Sequence, residues 1–197
     1  RSVKKFESFW SQSVALDEIN NETPLVKINE EYHTAIVEKI RSFVGYLQVR
    51  FTRNSKTNIE NFSPAARDRI IDYFDILARV NPKETDSYRF YQGETFFAIN
   101  DFSHSFESYQ RALEANKVKY TVKKKEGDKI VLVKEKLSSD DQKKHEVLTK
   151  KIFDALLASL EYGKFKKDMS FERTVYTYTN HLDVYPENER TRLIYGK

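Results

Sequence analysis

Small and large side chains recur at helical intervals between Asp86 and Asn116 and are interrupted once, by the polar pair Asn100-Asp101. Gly93, Ser105 and Ala112 let two backbones approach closely, while Phe96, Phe102 and Tyr109 are large enough to fill the seam between them. A segment of this kind is expected to be two packed helices joined by a short turn. A helix pair buries its apolar stripe poorly by itself, so related segments are expected on either side of it.

They are found. Upstream, Ile70, Phe74, Leu77, Ala78 and Pro82 keep the second-helix spacing and end in a proline, which cannot continue a helix. Ser63-Pro64 supplies a start signal, with proline at the first helical position. The matching first helix is expected from Ile28 to Phe51, with Tyr32, Ile36, Ile40, Phe43 and Leu47 as its apolar stripe and Thr52 to Phe62 as a connection. Downstream, a helix from Asp140 to Tyr162 is expected to be capped by Ser138-Ser139 and stopped by Gly163, with Val147, Ile152, Leu156, Leu157 and Leu160 on its apolar face. Tyr178, Leu182 and Pro186 repeat the second-helix ending, and a proline-to-glycine interval from Pro186 to Gly196 suggests the start of another pair.

A helix–turn–helix unit of about 34 residues resembles the tetratricopeptide repeat. The run Tyr109-Gln110-Arg111-Ala112-Leu113 is similar to that family's second helix, and Asn100-Asp101-Phe102 to its inter-helix turn. Arg89 and Gln92 stand where the family usually carries Trp and Leu, with Tyr88 and Tyr91 one residue away. The resemblance implies an all-α fold, a right-handed α-solenoid of antiparallel helix pairs. Its divisions would be an N-terminal helix in 1–27, repeats in 28–83, 84–116 and 138–186, a small inserted β-hairpin in 117–137, and the start of a further repeat in 187–197. It also implies a scaffold that holds a protein or peptide partner in a groove lined by first helices. Carried across position by position, the groove residues are Ser87, Phe90, Glu94 and Phe97, then Arg190, Leu193 and Lys197. Phe90 and Phe97 are alternatively buried between repeats. The Lys/Asn set that clamps a terminal carboxylate in some members is missing, since Phe90 and Glu94 occupy two of its positions.

The insertion carries its own signal. Lys119-Tyr120-Thr121-Val122 and Ile130-Val131-Leu132-Val133 are β-prone runs around Glu126-Gly127-Asp128, the pattern of a hairpin. Between Lys117 and Lys136 eight lysines face three acids, a local excess of +5 in a chain whose net charge is +4. The basic character therefore belongs to this segment alone. Lys119, Tyr120, Lys123, Lys124, Lys125 and Lys129 are candidates for contact with a protein partner or with nucleic acid or another anionic polymer; a solvated excursion whose lysines block edge pairing is the third reading.

Chemistry is not in view. Without cysteine there is no disulfide, thiolate metal site or cysteine nucleophile. His33, His104, His145 and His181 are scattered, no Gly-rich phosphate loop or nucleophile elbow occurs, and no cofactor or catalytic residue is expected. No run approaches the ~20 apolar residues of a membrane span. A first residue other than Met suggests an internal piece of a longer protein, in cytoplasm or periplasm.

Overall fold

The computed structural model describes residues 4, 5, 8, 25–57, 63–126, 129–135 and 137–185 of the 197-residue chain. The class is all-α. Six α-helices are described: α1 (Leu25–Thr57), α2 (Pro64–Val80), α3 (Thr85–Phe97), α4 (Phe102–Val118), α5 (Ser139–Phe165) and α6 (Phe171–Val184). They fall into two compact units, Arg1–Ile99 and Asn100–Lys197, so the division lies in the turn between α3 and α4.

In the first unit α2 packs against both α1 and α3. Its start follows from local chemistry: Ser63 Oγ accepts from Ala66 N at 3.3 Å, and Pro64 occupies a position whose missing N–H costs nothing. Val37, Ile40, Val44 and Phe51 of α1 form the core with Ile70, Phe74, Leu77 and Tyr88. This stripe is rotated from the expected one, because Tyr32 and Phe43 point outward. Both faces of α1 carry apolar residues, and the turn-to-turn interval alone does not say which is covered. The helix also runs on to Thr57, through half of the expected connection. Side chains pin it: His33 Nε2–H donates to Val80 O at 2.8 Å, and Gln48 Nε2 to Tyr91 O at 3.1 Å.

In the second unit α4 packs against α5, and α5 against α6. Asn100 adopts the left-handed conformation (φ 61°), which Asn tolerates, and Asp101 then caps α4 by accepting from His104 N at 3.2 Å. Phe106, Tyr109, Leu113, Ile152, Phe153, Leu156 and Leu160 are fully buried. Ser105 and Ser159 share a buried hydroxyl–hydroxyl hydrogen bond of 2.8 Å at the close approach of α4 and α5. Ser138 caps α5 as expected, accepting from Asp141 N at 3.1 Å. Two expectations for this helix fail. Val147 is exposed, and Gly163 does not stop the helix, which continues to Phe165. Gly163 is buried, and a Cβ there would lie 2.5 Å from Met169 Cγ. Its role is close approach, and the left-handed residue that ends the turn is Lys167 (φ 60°).

Two strands, β1 (Thr121–Glu126) and β2 (Lys129–Lys134), pair antiparallel with Thr121 opposite Lys134 and Glu126 opposite Lys129. Lys123 stands opposite Leu132 and Lys124 opposite Val131, so the pair consists of one basic and one apolar strand. No helix among the described residues is long and apolar enough to cross a membrane.

Candidate functional site

The expected groove residues Ser87, Phe90, Glu94 and Phe97 lie on α3. Asp86, Tyr88, Phe90, Gln92, Gly93 and Thr95 are all buried. Phe90 is only 4% exposed and meets Tyr91 edge-to-face at 5.5 Å, which takes the second of its two readings, burial. Ser87, Glu94 and Phe97 are half-buried, and Ser87 Oγ donates to Glu84 Oε2 at 3.4 Å. Polar groups on α3 are also engaged: Arg89 pairs with Asp75, and Gln92 Nε2 donates to Asp75 Oδ1 at 2.8 Å and to Ile71 O at 3.1 Å. Burial pushes the Tyr88 phenol up, with its hydrogen bond from Asn81 acting in the other direction. Arg190, Leu193 and Lys197 lie outside the described residues.

Apolar surface that periodicity did not single out lies elsewhere. On α1, Tyr32, Phe43, Tyr46 and Val49 are exposed, Tyr46 at 61%. Phe43, Tyr46 and Val49 follow at three-residue steps on one side of the helix, and a Cβ at Gly45 would meet nothing within 4 Å. Phe43 is steadied by an edge-to-face contact with Tyr73 at 6.0 Å. A second set, Tyr162, Phe165, Phe171, Val175 and Tyr178, lies at the α5–α6 turn and along α6. The signal was present in both cases as a surplus of rings over what one core stripe needs.

α6 turns polar as well as apolar groups inward: Thr177 and His181 are buried, as is Val184, and Arg173 reaches Glu107 Oε1 at 2.6 Å and Ser103 Oγ at 2.7 Å while covering the Phe106 ring. Lys117 adds 2.5 Å to Asn180 Oδ1 and 3.0 Å to Asp183 Oδ2. Burial, then the neighbouring Glu114 carboxylate, raises the Tyr176 phenol; burial, then the hydrogen bond to Asp154 at 2.5 Å, raises that of Tyr185.

At the strand pair, Tyr120 is half-buried and meets the His145 ring edge-to-face at 5.2 Å, with Lys119 Nζ 5.9 Å from its centroid. Its ring is thus taken up by packing on α5. Lys123, Lys124 and Lys125 lie in β1 and Lys129 opens β2. Among the described residues no group of three or more His, Asp or Glu is placed to hold a metal ion. No protein-family model matches the chain, and neither the curated proteins nor the solved structures searched gave a match.

Proposed function

We propose that the chain is a non-catalytic scaffold for protein–protein contact, built as a tetratricopeptide-like right-handed solenoid with a basic hairpin inserted in it. The carrying observation is the exposed row Phe43, Tyr46 and Val49 on α1, the first helix of the first expected pair. In that repeat family first helices line the partner groove, and exposed rings are the side chains that most often anchor an interface, giving large contact area for little lost rotamer freedom. A peptide or protein segment with apolar anchors suits this row. A photo-crosslinking residue at Tyr46 in cells that make the protein is expected to trap a discrete partner, while the same residue at Lys39 is not. Equal trapping at the two positions would remove α1 as the docking helix.

A second reading rests on the +5 excess between Lys117 and Lys136, which suits nucleic acid or another anionic polymer. It requires binding that weakens steeply with salt and disappears when the strand pair is replaced by a short loop. Salt-insensitive binding, or binding that outlasts the replacement, excludes it.

A further inference from the structure

The turn between α5 and α6 carries the two most exposed rings of the described residues. Phe165 ends α5 and is 89% exposed, and Phe171 opens α6 and is 80% exposed. Side chains with so few neighbours project from the surface instead of lining a groove. Local chemistry holds them there. Lys167 is left-handed, and the N–H groups of Lys166, Lys167 and Asp168 donate to Tyr162 O, Lys164 O and Gly163 O at 3.2, 3.0 and 2.8 Å. Ser170 Oγ then accepts from Arg173 N at 3.4 Å and caps α6. Met169 is the turn's half-buried residue, set against Gly163. The turn packs on its methionine and leaves both phenylalanines outside.

Basic side chains interleave with these rings. Lys164, Lys166 and Lys167 are exposed, with Asp168 as the one carboxylate of the turn and Glu161 and Glu172 to either side of it. Among the described residues none of the three lysines is in an ion pair. Two of them lie on rings instead: Lys164 Nζ is 5.5 Å from the Tyr178 centroid, and Lys166 Nζ is 5.0 Å from that of Phe102, on which Tyr162 stacks at 5.6 Å.

Projecting rings among unpaired ammonium groups select the occupant. A second copy of the turn would bring lysine against lysine. A folded protein would need a cavity for each ring, whereas the interfacial layer of a bilayer yields to them and offers anionic headgroups at the same depth. The three carbonyls satisfied within the turn also suit a place where water is scarce. We propose that the α5–α6 turn docks on an anionic lipid bilayer, with Phe165 and Phe171 entering the interface and Lys164, Lys166 and Lys167 meeting the headgroups. The docking is peripheral and is independent of the partner reading, which rests on α1.

The chain has no cysteine, so a single introduced one can be labelled without background. An environment-sensitive fluorophore on Phe165→Cys is expected to shift to the blue with vesicles of phosphatidylcholine containing about one-third phosphatidylserine, and not with phosphatidylcholine alone. The same label on Lys143→Cys, on the order of 30 Å back along α5, is expected to stay unshifted. In co-sedimentation with the mixed vesicles, Phe165→Ser with Phe171→Ser is expected to weaken affinity at least tenfold, and Lys164→Glu with Lys166→Glu as much. Lys39→Glu with Lys143→Glu, an equal change of net charge, is expected to alter it less than threefold. No shift at position 165, equal shifts at 165 and 143, or full affinity in the phenylalanine variant would each overturn the proposal. A shift with a soluble glutamate–tyrosine copolymer as large as that with vesicles would overturn it in favour of an acidic protein. Sedimentation as a dimer that the phenylalanine variant abolishes would overturn it in favour of a second copy.

Discussion

Two glycines show how the same residue serves opposite needs. Gly45 faces open space within α1, so Gly45→Ala adds helix propensity with nothing to displace and is expected to stabilise by up to about 1 kcal/mol. Gly163 is held against Met169, and its alanine variant is expected to lose about 1–3 kcal/mol despite the same propensity gain. Combining Gly163→Ala with Met169→Ala should recover most of that loss, and denaturant midpoints of the four proteins decide the matter. The sequence marked Gly163 as a helix stop because glycine commonly ends helices; only its approach to Met169, six residues on, reveals the other role. At the α4–α5 seam, Ser105→Ala leaves Ser159 Oγ without its 2.8 Å partner and is expected to cost about 1–3 kcal/mol. Adding Ser159→Ala removes the stranded hydroxyl and should cost little more. The raised phenols of Tyr176 and Tyr185 give a pH signature. An unfolded chain ionises its tyrosines from about pH 10, whereas these two keep their protons longer in the folded state. Stability is therefore undiminished below about pH 10 and falls as pH rises above it. Tyr176→Phe with Tyr185→Phe is expected to flatten that fall in alkaline unfolding curves, and an unchanged slope would show that the two phenols titrate normally.

Helices were legible where their ends carry chemistry. Ser63-Pro64, Asn100-Asp101 and Ser138 mark starts that the backbone uses, because a side-chain oxygen satisfies an otherwise unpartnered N–H. Faces were less legible. α1 offers two apolar stripes, and which is covered depends on where Ile70, Phe74 and Leu77 of α2 come to lie. α3 was read as lining a groove, with burial as the other reading of Phe90 and Phe97; Phe90 is buried, while Ser87, Glu94 and Phe97 are half-buried. α6 is held in part by polar groups that periodicity counts as surface. Arg173 is one of them, so Arg173→Leu, which keeps the bulk but not the bonds to Glu107 and Ser103, is expected to lower stability by about 1–2 kcal/mol. Glu107→Gln should cost less, since Ser103 and the Phe106 ring remain. The reverse order in thermal unfolding would place the packing of Arg173, and not its bonds, at the centre of α6's attachment.

At the scale of the molecule, the paired strands and the α1 row divide two kinds of surface. β1 and β2 bring a basic and an apolar strand side by side, with Lys129 and Lys134 bounding the apolar run in sequence. The α1 row offers rings without a comparable concentration of charge. The composition already held the surplus of aromatics, 12 Tyr and 14 Phe, but assigned it to cores; the fold leaves a share of it outside. On that surplus rests the reading of the chain as a scaffold, and affinity for the partner trapped at Tyr46 tests it most directly. Phe43→Ser with Tyr46→Ser, in a protein whose helical content is unchanged, is expected to weaken that affinity by tenfold or more, as loss of interface anchors does. Lys123→Glu with Lys125→Glu is expected to change it by less than threefold. Unchanged affinity in the aromatic variant, with loss in the lysine variant, would contradict the account and move the binding surface from α1 to the strand pair.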